Sequence, residues 1–67
     1  MIYKILYTNQ FGKTIFGRID DDGLCRVTCI AENPEFQEYL KNDGQLEDAD
    51  GNLMSPEQAK AYVATLP

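Results

Sequence analysis

The sequence predicts an α+β fold, a three-stranded antiparallel β-meander followed by two short helices packed on one sheet face. Three observations predict it. The first half carries three runs rich in β-branched and aromatic residues, separated by turn-forming clusters. The second half carries two stretches with apolar residues at helical spacing, each introduced by a capping residue and a proline. The chain has only 67 residues, which predicts a single small domain over 1–67 with a thin core.

The strand-like runs are residues 2–7, 13–19 and 24–31. Thr8-Asn9-Gln10-Phe11-Gly12 separates the first two, and Asp20-Asp21-Asp22-Gly23 the second two. Both clusters have turn chemistry, so neighbouring runs are expected to pair as hairpins. In the second hairpin a three-residue loop places Asp20 opposite Leu24, with Gly23 as the left-handed residue that such a loop requires. That pairing puts Ile19 opposite Cys25, Gly17 opposite Val27 and Ile15 opposite Cys29. A five-residue loop in the first hairpin puts Ile5 opposite Ile15 and adds Tyr3 and Tyr7 to the same face. The face under the helices is therefore expected to carry Tyr3, Ile5, Ile15, Cys25, Val27 and Cys29.

The opposite face holds Lys4, Arg18 and Arg26, but also Ile2, Leu6, Phe16, Leu24 and Ile30. A face meant only for water does not need so many apolar residues, and contiguous apolar patches mark interfaces. Ile2, Leu6, Phe16 and Ile30 are accordingly the candidate partner-binding residues, for another protein or a second copy of the chain.

Asn33 is suited to cap the first helix, Pro34 to its first position and Glu35 to its dipole. Phe36, Tyr39 and Leu40 form one stripe, and Asn42-Asp43-Gly44 ends the helix with Gly44 as the expected left-handed residue. Ser55 caps the second helix, Pro56 opens it, and Gln58 can complete a capping box. Met54 can staple to Ala59, and the buried stripe is Ala59, Tyr62, Val63 and Leu66.

The net charge of −5 argues against a general nucleic-acid binder, which needs a basic stripe to displace phosphate counterions. The alternative use of such acidity is as a phosphate mimic that inhibits a host nucleic-acid-binding protein. Its contacts would come from Asp20, Asp21, Asp22, Glu47, Asp48 and Asp50. No apolar run approaches the ~18 residues of a membrane span, and residues 1–7 are too short for a secretory signal, so a cytoplasmic or virion location is expected.

Catalytic and metal chemistry find little support. Histidine is absent, so no nucleophile–base pair can be assembled, and no enzyme activity or cofactor is expected. Cys25 and Cys29 lie four apart on a strand, about 13 Å between Cα atoms, too far for a disulfide. Two reduced, buried thiols are expected there. Residues 46–57 partly match a calcium-binding loop, with Asp48 and Asp50 at its third and fifth positions, Gly51 at its sixth and Glu57 at its twelfth. The first position is Leu46 where an aspartate belongs, so a tight turn or small hairpin is expected there and no metal site.

Residues 29–40, Cys-Ile-Ala-Glu-Asn-Pro-Glu-Phe-Gln-Glu-Tyr-Leu, resemble a segment of small bacteriophage and prophage tail-associated proteins. There a strand enters an acidic or proline-containing turn, and an Asn precedes an aromatic-Gln-x-Tyr-Leu helix. In those proteins the helix continues with a Trp, where this chain has Asn42. The resemblance implies a phage virion or accessory protein and carries no active-site residues. The expected function is a non-enzymatic protein–protein interaction module.

Overall fold

The structure, a computed structural model, describes residues 1–66. Its elements are β1 (Ile2–Thr8), β2 (Thr14–Ile19), β3 (Cys25–Cys29), α1 (Pro34–Lys41), β4 (Leu46–Glu47) and α2 (Pro56–Ala64). The α+β class is as expected, but the sheet has four strands in the order β3-β2-β1-β4. The first three pair antiparallel, and β4 lies parallel to β1, with Tyr3 beside Leu46 and Lys4 beside Glu47. A two-residue strand has no alternation to read, which is why the sequence pattern misses β4. Leu46 is nevertheless fully buried.

One turn design is used three times. Residues 9–13, 20–24 and 48–52 each close with a bond from the first N–H to the fifth carbonyl, at 2.8, 3.0 and 2.8 Å. In each, the glycine at the fourth position donates to the first carbonyl, at 3.1, 2.9 and 3.1 Å. Gly12, Gly23 and Gly51 have φ of 77, 84 and 90°, a left-handed conformation that a Cβ disfavours. The Asn9 and Asp48 side chains brace their turns identically, each Oδ1 accepting from the N–H two and four residues on. The third turn returns the chain so that Leu53 bridges Glu47, the small hairpin expected before the last helix.

The hairpin registers depart from expectation at two bulges. Ile19 faces Cys25 as anticipated, but Arg26 is then an extra residue, so Val27 faces Arg18 and Cys29 faces Phe16. In the first hairpin Thr14 faces Thr8 and Ile15 faces Tyr7; Leu6 is then extra, and Ile5 faces Phe16 instead of Ile15. Because side chains alternate along a strand, these slips exchange the two faces of β2. Phe16, expected outside, is completely buried, while Ile15 and Ile19 face away from the helices. The physical reason lies in volume. The Ile15-Gly17-Ile19 side of β2 has a glycine at its centre, which beneath a helix would leave a void; Phe16 fills that space.

Phe16 stacks on Phe36 of α1, with ring centroids 4.5 Å apart. Tyr3 meets Phe36 edge-on at 4.9 Å and Tyr39 at 4.8 Å. Leu40, Leu46 and Ala59 complete the buried cluster, against which Ile5, Cys29, Met54, Tyr62, Val63 and Leu66 pack. Both helices thus cover the same sheet face, as expected.

The helix starts follow the sequence closely. Asn33 Oδ1 accepts from the Phe36 N–H at 3.1 Å. Ser55 and Gln58 form the reciprocal capping box, at 3.2 and 2.9 Å. The end of α1 differs: Asp43, not Gly44, is the left-handed residue, with φ 63°. Gly44 donates to the Tyr39 carbonyl and Asp43 to that of Leu40, the paired bonds of a Schellman turn. Gly44 is needed for room instead, since a Cβ there would collide with the Tyr39 ring. That ring is fixed in turn by its hydroxyl, which donates to the Gln45 carbonyl at 2.5 Å.

Candidate functional site

The uncovered sheet face follows from the register. Its rows are Cys25, Ile19 and Ile2; then Thr28, Gly17, Lys4 and Glu47; then Ile15 and Tyr7. Leu6, at the bulge, leans over Gly17. A Cβ built on Gly17 would stand 2.9 Å from Leu6 Cδ1 and 2.7 Å from Cys25 Sγ. The glycine therefore forms a trough that these two side chains fill. A glycine inside a strand signals such close approach, and it was the one sequence signal that could have warned of the register.

Ile2, Leu6, Ile15 and Ile19 are half-buried, whereas Tyr7 is 60% exposed. Lys4 and Glu47 pair at 3.1 Å. The face thus carries two apolar rows, Ile2 with Ile19 and Ile15 with Tyr7, on either side of a row in which Lys4 and Glu47 neutralise one another.

The expected partner-binding residues are only partly brought together. Ile2 and Leu6 lie on this face. Phe16 does not: it is a core residue with no surface to offer. Ile30 follows β3 and is 37% exposed. Ile15, Ile19 and Cys25, expected beneath the helices, take their place on the open face. Val27 shares the covered side with Arg18 but stands on the edge strand, where it is 37% exposed.

The bulge at Arg26 also separates the cysteines. Cys25 is exposed on the open face and Cys29 half-buried on the covered one, so the expectation of two buried thiols fails for Cys25 and is met only in part by Cys29. Burial, with the Glu35 charge second, pushes the Cys29 thiol above its ordinary value and keeps it protonated at neutral pH.

Five of the six acidic residues sit on two turns and Glu47 ends β4; all but Asp50 have a partner for their carboxylate within the described residues. Asp20 accepts from Arg18 Nε and from Arg26, both at 3.1 Å. Asp22 accepts from both terminal nitrogens of Arg26, at 2.9 and 2.5 Å. These bonds, with the Leu24 N–H second, hold the Asp22 carboxyl below the usual range. Asp21 takes the N-terminal amine at 2.5 Å, which lowers its carboxyl likewise. Glu47 is taken by Lys4. Asp48 is held low mainly by the Asn52 N–H, as a brace of its own turn. Among the described residues no three or more Cys, Asp or Glu side chains converge as a metal site would require, and no helix is long and apolar enough to cross a membrane.

A groove of about 760 Å³ runs between the helices, lined by Leu40, Val63, Lys41 and Lys60 among others. It is open, and Lys60 is spanned across to Asp43 at 2.7 Å. Comparison with protein-family models, curated proteins and solved structures finds no match.

Proposed function

We propose that this chain is a non-enzymatic interaction module that binds another protein through its open sheet face. The observation that supports this is the one-sided covering of the sheet: both helices pack on the Tyr3–Phe16 side, leaving Ile2, Leu6, Ile15 and Ile19 facing outward. Fully burying a side chain of this size contributes about 1.5–3 kcal/mol relative to exposure. These four are already largely shielded, so each stands to gain at most about a third of that. The resemblance of residues 29–40 extends the proposal to a bacteriophage virion or accessory protein, in the virion or in the host cytoplasm.

The phosphate-mimic reading needs carboxylates free to meet a basic partner. Here Asp20, Asp22 and Glu47 are already matched by Arg18, Arg26 and Lys4, so no observation favours it over the apolar face.

Capture of partners from host lysate by wild type and Ile15→Lys, at low and high salt, tests the proposal. An apolar interface predicts a partner retained at high salt and lost from the variant. A partner released by salt, or held equally by a folded Ile15→Lys chain, would overturn it.

A further inference from the structure

The sheet has two edges, and the described residues close only one of them. Beside β4, Leu53 bridges Glu47 and the Met54 N–H donates to the Leu46 carbonyl at 2.8 Å. Among the described residues no strand lies outside β3, and its first four residues, Cys25, Arg26, Val27 and Thr28, are all exposed. An edge strand presents a row of backbone donors and acceptors that another strand can complete, and proteins normally guard it with charge, proline or a bulge. The guard on β3 covers one end alone. Arg26 bulges there, and its guanidinium is turned back to Asp20 and Asp22. Beyond it, Val27, Thr28 and Cys29 bring two β-branched side chains, no charge and no proline.

We propose that β3 pairs antiparallel with β3 of a second copy, about a two-fold axis at Thr28. Thr28 then faces Thr28 of the second copy, Val27 faces its Cys29, and Arg26 faces its Ile30. The strand is self-complementary in this alignment. Its only charge, already matched by two carboxylates, meets an apolar residue and never its own copy, and paired threonines are favourable across strands. A strand of another protein would meet the same backbone, but nothing on β3 selects one. The two sheets would become one of twice the width, with their open faces adjoining. The pairing uses the edge and is independent of what binds the face.

Sedimentation of the full chain up to millimolar concentration tests this, with Thr28→Lys and Thr28→Glu as variants. The expected result is a concentration-dependent wild-type dimer. Each variant alone should dimerise roughly tenfold more weakly, because like charges replace a favourable pair, and an equimolar mixture should restore the dimer. Ile15→Lys, on the face and not the edge, should dimerise as wild type does. In the wild type, the Thr28 amide should gain protection from hydrogen exchange as concentration rises. A monomer throughout, single variants that dimerise unchanged, a mixture that fails to recover, or a Thr28 amide indifferent to concentration would each overturn the pairing. A dimer lost in Ile15→Lys alone would assign association to the open face instead.

Discussion

Replacing Phe16 by alanine separates the observed register from the one that strict alternation along the strands suggests. In the structure Phe16 has no exposed surface and stacks on Phe36 at 4.5 Å. Truncating a buried phenylalanine costs about 3–5 kcal/mol, transfer and cavity terms together. A chain of this length has a total stability of about 3–10 kcal/mol, so Phe16→Ala should remove most of it. Phe16→Leu, which keeps more of the volume, should cost about 1–1.5 kcal/mol and remain folded. Ile15→Ala, on the half-exposed outer face, should cost about 1 kcal/mol or less. Urea unfolding followed by circular dichroism gives all three values, with unchanged slopes confirming that stability alone is altered. An Phe16→Ala chain as stable as wild type, with a loss of several kcal/mol in Ile15→Ala, would show that Ile15 is the inward residue and refute the bulged register.

Three further outcomes follow from the geometry. Asp43→Gly should raise stability by up to ~1 kcal/mol in urea unfolding, because a left-handed φ of 63° carries a Cβ penalty that glycine lacks; its exposed Lys60 pair offsets little of this. The Asp48 carboxyl lies below its ordinary 3.8 when folded, so its contribution is present above that pH and is lost as pH falls through the lower folded value. Asp48→Asn should flatten this acid limb in a pH series of melts while keeping the turn, since Asn9 braces its own turn through the same two bonds. Alkylation at neutral pH should modify Cys25 well before Cys29, whose thiol is half-buried and pushed up, and peptide mass spectrometry would show the order.

What the sequence made legible was whatever short-range chemistry decides. Ser55 with Gln58, Asn33 with Pro34, and Gly23 in its loop each act within a few residues, and each stands where the pattern puts it. The faces of β2 depend instead on Leu6 and Arg26, single extra residues whose cost or benefit is decided by packing across the sheet. Ile15 and Ile19 look more core-like than Phe16 flanked by Gly17 and Arg18, until the void that Gly17 would leave under a helix is counted. The candidate surface was therefore foreseen as a face but only partly by residue: Ile2 and Leu6 were legible, Ile15 and Ile19 were not. Gly44 was misread for a related reason, because its role is set by the Tyr39 ring and not by its own φ.

The one-sided covering follows from the path of the chain. Strand β3 lies at one edge and β4 at the other, so the chain must cross the sheet between them. Three strand spacings amount to about 14 Å, and the eight residues of α1 rise about 12 Å. The helix is thus about as long as the crossing requires, and it lies on the face that Phe36 meets through Phe16. The turn at 48–52 then delivers α2 beside the same edge, where Ala59 joins the same core. No described segment remains to shelter Ile2, Leu6, Ile15 and Ile19. They are partly buried all the same, and Leu6 rests in the trough at Gly17. A substitution that fills that trough, such as Gly17→Val, would lift Leu6 and Cys25 off the face without touching the core. Binding through the face should then weaken while the urea midpoint moves less than it does in Phe16→Ala, a separation that a purely structural role for these residues would not produce.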